Sequence, residues 1–142
     1  MRVMTIIKAT AASESGQMPS SELLDDMGKF NAELVEAGVL VAGDGLKPSK
    51  HGVRITFDPD GSTKVLDGPF AETKELVSGF WILEVADMDE AVAWIRRVPN
   101  TDGEHAQIEI RPIFGAEDFD MTPERVEAEK QLFARAAEQH GG

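Results

Sequence analysis

The chain has 142 residues, 42% of them hydrophobic, which is enough to bury one core without disulfides or a structural metal. It contains no cysteine, which excludes a disulfide framework, a thiol nucleophile and a zinc site with cysteine ligands. The formal net charge of −12 argues against phosphate-backbone binding as the main activity, so we expect no nucleic-acid partner.

The chain shows no sign of a membrane or export segment. No apolar run approaches the length of a membrane span. The apolar stretch after Met1 is too short for the core of a signal peptide. These features predict a cytoplasmic protein without a membrane partner, and we interpret its acidic surface as a solubility feature.

The first forty residues predict a strand and a helix. Val3 to Ala9 is apolar on both faces, as in a central strand, and the small polar residues from Thr10 to Pro19 predict a loop. Ser20 or Ser21 then caps a helix, and Gly38 supplies its left-handed C-terminal cap. The apolar stripe of this helix recurs at helical spacing and consists of Leu23, Met27, Phe30 and Leu34.

The middle of the chain predicts a short strand followed by an inserted hairpin. Val39 to Ala42 forms the short strand, and Val53 to Phe57 alternates between apolar and polar residues. That alternation is typical of a strand with one buried face. The sequence Asp58-Pro59-Asp60-Gly61 predicts a turn, after which Thr63 to Leu66 returns as the second arm.

The second half predicts another strand, a helix and a last strand. Val77 to Val85 is strongly apolar, with Phe80 and Ile82 on one face and Trp81 and Leu83 on the other. Asp87 and Glu90 predict a capped helix that Pro99 ends. Its buried face consists of Ala91, Trp94, Ile95 and Val98. Gln107 to Arg111 alternates as a strand around Ile108 and Ile110.

The order of these elements predicts an α+β fold of the ferredoxin-like type. Two strand–helix–strand units give an antiparallel sheet with both main helices on one face, an inserted β-hairpin and an additional C-terminal helix, Thr122 to Gln139. Residues 1–114 form the predicted domain, and residues 115–142 form a helical extension. The second sheet face, carrying Trp81 or Phe80, predicts a homodimer of the dimeric α/β barrel type.

Residues 67–80, which follow the hairpin, carry the strongest motif and read DGPFAETKELVSGF. This stretch resembles the signature that names the DGPF proteins, a branch of the YCII-related family. Flanking segments resemble the family too, namely Glu36 to Leu40, Gly45 to Pro48 and Glu109 to Pro112. The resemblance runs from residue 2 to residue 113 and leaves the C-terminal tail out.

The resemblance implies a dimeric ferredoxin-like barrel in a bacterial protein, with little settled biochemistry. Some members are fused to sigma-70-type factors, which implies a transcription-related protein partner. The YCII branch is suspected of enzymatic function through a histidine and an aspartate. In this chain Met27 stands near the position of that histidine, so the histidine–aspartate chemistry is not carried over.

The DGPF stretch supplies the candidate catalytic residues. Asp67 is fixed by the Gly68-Pro69 turn and either serves that turn or transfers protons. Glu72 is the second candidate acid or base. In an extended segment Glu72 and Lys74 share one face, where they frame a polar ligand or form exposed surface charge.

Further candidate residues are predicted to bind a small polar or anionic ligand. Lys74 and Arg111 would hold an anionic group, and Lys8 at the end of the first strand is a similar candidate. Phe70 is a further candidate ligand contact. The alternative for each of the three cations is plain surface charge.

The sequence predicts neither a metal site nor a cofactor. His51, His105 and His140 occupy two loops and the chain end, without the spacing of metal ligands. The pair Gly43 and Gly45 lacks a dinucleotide fingerprint or phosphate loop, and no serine stands in a nucleophile elbow.

Two hypotheses about function follow. The first is a protein that binds a small molecule, or a cofactor-independent acid–base enzyme, using a cleft near the DGPF motif. The alternative is a non-catalytic interaction module linked to transcription. The ferredoxin-like fold decides neither, because it hosts many functions.

Overall fold

Six strands and four α-helices form in residues 1–141, the part of the chain that the computed structural model describes. The strands are β1 (Arg2–Lys8), β2 (Leu40–Gly45), β3 (Val53–Phe57), β4 (Thr63–Asp67), β5 (Val77–Glu84) and β6 (Ile108–Pro112). The helices are α1 (Ala11–Glu14), α2 (Ser21–Glu36), α3 (Met88–Ile95) and α4 (Pro123–Gln139). The chain divides into two structural units, the first Met1–Pro112 and the second beginning at Ile113.

Four strands of the first unit form an antiparallel sheet in the order β2-β5-β1-β6. Helix α2 connects β1 to β2, and α3 connects β5 to β6, so each connection skips a position in the sheet. The hairpin β3–β4 is inserted between β2 and β5 and forms a separate two-stranded sheet. This arrangement confirms the ferredoxin-like α+β prediction.

The hydrophobic core lies between the four-stranded sheet and the two longer helices of the first unit. Sheet register places Val3 opposite Leu83 and Thr5 opposite Trp81, and all four side chains are buried. The Trp81 indole N–H donates to Asn31 Oδ1 at 2.9 Å. Helix residues complete the same cluster, which includes Phe30, Leu34 and Ala91.

The opposite face of the sheet is also apolar at its centre. Met4 pairs with Ile82 and Ile6 with Phe80, and these four half-buried side chains do not belong to the core cluster. The sequence did not determine whether the sheet face without helices carries Trp81 or Phe80. In the structure that face carries Phe80. The predicted homodimer concerns this face and stays a prediction.

The predicted helix boundaries depend on capping residues, and most of these are confirmed. Ser20 Oγ accepts from the Leu23 amide at 3.1 Å, Asp87 Oδ1 from the Glu90 amide at 2.9 Å, and Thr122 Oγ1 from the Arg125 amide at 3.3 Å. Gly38 has φ +73°, the left-handed conformation that a C-terminal cap requires.

Two local predictions were wrong. The predicted loop after Thr10 contains α1, because Thr10 and Ser13 cap each other reciprocally and supply a helix start. Helix α3 ends at Ile95 rather than at Pro99, because the turn that follows Ile95 is tighter than an α-helical turn. There the Val98 amide donates to the Ile95 carbonyl, three residues back, at 3.1 Å.

The hairpin turn is confirmed, but the predicted burial of β3 is wrong. Gly61 has φ +89°, and its amide donates to the Asp58 carbonyl at 3.0 Å. The Ser62 hydroxyl and amide donate to Asp60 and lower the pKa of that exposed carboxyl. The apolar side chains of both arms are exposed, with 78% for Phe57 as the extreme. The alternation of apolar and polar residues correctly predicts an amphipathic strand, but it does not indicate whether another element covers the apolar face.

The second unit contains helix α4, with Thr122 at its N-cap and Pro123 at its first position as predicted. Its apolar stripe is weak, since Leu132 and Phe133 are both exposed. Just before the helix, the rings of Phe114 and Phe119 pack at a centroid distance of 4.7 Å. Across residues 1–141, no helix has both the length and the apolar character needed to cross a membrane.

Candidate functional site

A cavity of about 570 Å³, which we call the large cavity, lies between α2, α3 and the helix-facing side of β1 and β6. Most of its wall is apolar and comes from the two helices and the sheet. The sheet contributes Ile7, Ile108 and Ile110, and the helices contribute Leu23, Met27 and Ile95.

The sequence of α2 explains where this cavity forms. Phe30 and Leu34 are buried in the core, whereas Leu23 and Met27 on the same stripe are only half-buried. The C-terminal half of the helix therefore packs closely on the sheet, while its N-terminal half leaves space above Ile7. Met27 lines the cavity, so the helix presents an apolar side chain at this point of the wall.

One end of the large cavity is polar. Lys8, Thr10, Asn100 and Glu104 all line it. The Asn100 side-chain amide donates to the Glu104 carbonyl at 2.8 Å, and the Thr10 hydroxyl donates to Glu104 Oε2 at 3.4 Å. These two hydrogen bonds hold the loop before β6 against the end of β1. The cavity thus combines an apolar wall with a few polar groups at one end, as is typical of small-molecule sites.

A second cavity of about 380 Å³, which we call the basic cavity, shares Lys8, Thr10 and Ala106 with the large cavity. Its remaining polar lining includes Thr73, Lys74 and His105. The structure therefore brings together two of the predicted ligand-binding residues, Lys8 and Lys74. The Lys8 side chain is 24% exposed, and its Nζ lies 3.7 Å from Glu109 Oε1.

The predicted shared face of Glu72 and Lys74 is wrong. Glu72 has φ +56°, a left-handed conformation, and Thr73–Glu75 then forms a 3₁₀ turn. The segment is therefore not extended, and side-chain directions do not alternate along it. Lys74 reaches the basic cavity, whereas Glu72 is exposed and is not among the residues that line it.

Asp67 and Phe70 lie away from both cavities. Asp67 is the exposed last residue of β4, opposite Val53. The Phe70 ring lies under the Arg54 guanidinium, with 4.0 Å from its carbon to the ring centroid. The Phe70 amide donates to Ser49 Oγ at 3.1 Å, and Ser49 itself donates from its amide and hydroxyl to Glu14. The DGPF turn is thus fixed to the segment around Ser49, and a proton-transfer role for Asp67 stays a prediction.

Arg111 also stands apart from Lys74. Its Nη1 lies 3.2 Å from Glu109 Oε2, and its side chain is 70% exposed. Register places Arg111 opposite Met4, on the sheet face away from the large cavity. Glu109 therefore lies between two cations, Lys8 and Arg111, and neutralises only one of the two charges.

Sequence reasoning missed His105, Glu104 and the apolar wall as parts of one site. His105 was recognised only as a loop residue, and no local pattern connects it with Lys8 or Lys74. Lys8, Lys74 and His105 meet because β1 pairs with both β5 and β6. In the described part of the chain, no three His, Asp or Glu side chains cluster closely enough to hold a metal ion.

Comparisons with known proteins identify the family. The model of the YCII-related domain matches residues 1–115. An uncharacterized protein of Rhizobium meliloti (strain 1021) is 34% identical over 91 residues, which are 64% of this chain and 73% of that protein. A solved structure is similar to this chain at 16% identity and a TM-score of 0.44, covering 84% of this chain and 100% of the other. It is the 5-chloro-2-hydroxyhydroquinone dehydrochlorinase of Burkholderia phenoliruptrix AC1100 in complex with 2,5-dihydroxybenzoquinone. The chain belongs to the YCII-related family.

Proposed function

We propose that this protein binds a small organic molecule whose apolar body occupies the large cavity. The observation that carries the proposal is the cavity itself, whose volume of about 570 Å³ lies within the usual range of about 300–1,000 Å³ for ligand sites. Helices α2 and α3 and strands β1 and β6 supply most of its apolar wall, and these elements belong to one packed unit.

The hydrophobic effect supports this proposal. The cavity opens to solvent, since Val92, Arg96 and Glu104 in its wall are exposed. A ligand with an apolar body would cover Ile7, Met27 and Ile95, and burial of apolar surface contributes roughly 25 cal/mol for each Å² removed from water.

The polar end of the large cavity supports one orientation of the ligand. Glu104 is the carboxylate among the lining residues, and Lys8 and Arg96 are the cations. A polar group on the ligand would meet hydrogen-bonding partners at this end. Glu104 would be the nearest acid or base to a bound molecule. Catalysis by Asp67 or Glu72 stays a prediction, and neither lines the cavity.

Filling the large cavity should weaken binding. We expect Val92→Trp to lower the affinity for 2-naphthamide, an uncharged bicyclic probe, by at least about tenfold. Val92 lines the cavity, so the indole occupies space that the probe requires. Isothermal titration calorimetry on both proteins measures the change.

The matched control is Ala93→Trp, which adds the same ring at the next position of α3. Ala93 is exposed and is not among the lining residues, so its variant should bind the probe as the parent protein does. Equal affinities for the two tryptophan variants would contradict the assignment of the site.

The predicted homodimer and transcription-related partner stay predictions. The exposed apolar residues of the hairpin support the interaction-module alternative, because clustered apolar surface is typical of contact sites. On one face of the hairpin they are Val53, Ile55, Phe57 and Val65.

A further inference from the structure

The basic cavity has the opposite charge to the protein as a whole. The chain carries 26 acidic residues against 14 lysines and arginines. The nine residues that line the basic cavity nevertheless include Lys8, Lys74 and His105 and no aspartate or glutamate. The wall of this cavity therefore differs in charge from the acidic chain around it.

Backbone hydrogen bonds hold these three side chains together. Where the pairing of β1 and β5 changes register after Ile7, the Lys8 amide donates to the Gln107 carbonyl at 3.0 Å, and the Ala9 amide donates to the Leu76 carbonyl at 2.9 Å. The end of β1 is thereby fixed between the loop that carries His105 and the turn that carries Lys74. The backbone near the three residues is therefore positioned by the sheet.

Of the two lysines that line the basic cavity, Lys8 has a carboxylate partner and Lys74 has none within residues 1–141. Glu109 lies 3.7 Å from Lys8 but also pairs with Arg111 at 3.2 Å. Glu104 lines the large cavity but not the basic cavity, and it accepts from the Thr10 hydroxyl. Within residues 1–141, Lys74 belongs to none of the ion pairs that form. An incoming anion would therefore meet at least one lysine that is not already neutralised.

We propose that the basic cavity binds the anionic group of an organic acid whose apolar body lies in the large cavity. The inference rests on the proposed function, because it assumes that the large cavity holds the body of the ligand. Lys8, Thr10 and Ala106 line both cavities, so a carboxylate at their common wall reaches the lysines while its ring or chain lies among Ile7 and Ile108. The ligand class is a small amphipathic carboxylate.

The donors of the basic cavity favour this class over a neutral or cationic ligand. Ammonium groups donate hydrogen bonds and accept none, and the Thr73 hydroxyl can donate as well. A carboxylate accepts several such bonds, which are stronger when charge assists them. A neutral ligand would displace water from these groups without equivalent partners, and a cation would be repelled.

The test compares 2-naphthoate with 2-naphthamide, which share a ring system and differ in charge. In calorimetric titrations of the full chain at low ionic strength, we expect the acid to bind at least about tenfold more tightly. Lys74→Met and Lys8→Met should each lower the affinity for the acid about tenfold and leave that for the amide unchanged. Lys74 is exposed on a turn, so its variant should fold even if the Lys8 variant does not.

Lys29→Met is the matched control, since Lys29 is exposed on α2 and lines neither cavity. It removes the same charge and should leave both affinities unchanged. Equal binding of acid and amide would overturn the anion site and leave the proposed function standing, whereas binding of neither probe would overturn both. A loss in Lys29→Met as large as that in Lys74→Met would also overturn the site, because it would show only an effect of net charge.

Discussion

We expect Gly68→Ala to lower the free energy of unfolding of the first unit by about 3 kcal/mol. A Cβ at this position would stand 2.7 Å from the Ser49 carbonyl carbon and closer still to its oxygen. Both are backbone atoms, so no side chain can rotate away. The Gly68 amide also donates to the Gly52 carbonyl at 3.0 Å, which fixes the chain on that side.

Gly28→Ala provides the matched control for this prediction. Gly28 lies inside α2, and a Cβ there would meet no atom within 4 Å. The same methyl group should therefore stabilise the protein by about 1 kcal/mol, because alanine is the better helix former. Urea unfolding followed through Trp81 and Trp94 measures both variants. If Gly68→Ala proved as stable as Gly28→Ala, the close approach of the DGPF turn to Ser49 would be wrong.

We expect Leu34→Ala to cost a similar amount, about 3 kcal/mol, through loss of core packing. Leu34 has an exposed fraction of 0% and belongs to the cluster that joins α2 to β1 and β5. Truncation removes buried methyl groups and leaves a void that the surrounding side chains fill only in part. The measurement is again urea unfolding at constant pH and salt.

Leu24→Ala is the control, since Leu24 lies on the same helix and is 54% exposed. Leu24→Ala removes the same atoms at a position where they pack less closely. It should therefore lower the free energy of unfolding by less than about 1 kcal/mol. Equal losses for the two variants would contradict the placement of the core on the Leu34 side of α2.

Much of the first unit could be predicted from the sequence because its signals are local. Ser20, Asp87 and Gly38 determine helix ends through hydrogen bonds and dihedral angles within a few residues. Strand alternation and the order of elements then leave few topologies. Burial of the hairpin was not predictable in this way, because alternation in Val53 to Phe57 describes the strand and not its neighbours.

The candidate site was only partly predictable because it is built by distant segments. Lys8 was identified at the end of a predicted strand, and Lys74 was identified within the DGPF stretch. His105 carries no signal of its own, since only the pairing of β1 with β6 brings it to Lys8. The large cavity results from looser packing of one half of α2, which no periodicity in Leu23 and Met27 reveals.

Chemical roles were predicted from the sequence for residues of the DGPF stretch, and the structure shows that the stretch also has structural roles. Phe70 packs against Arg54 and bonds to Ser49, while Gly68 allows the close approach of two backbone segments. Lys74, a few residues later, is the part of the stretch that reaches a cavity. We infer that the motif positions the turn from which Lys74 extends.

The central claim is that a ligand binds in the large cavity, and isoleucine δ1-methyl NMR tests it most directly. Ile7, Ile95, Ile108 and Ile110 line the cavity, whereas Ile55 and Ile82 lie on the hairpin and the opposite sheet face. On titration with 2-naphthoate, we predict shifts of the four cavity methyls and unchanged signals for the other two. Shifts confined to Ile55 or Ile82 would contradict the account.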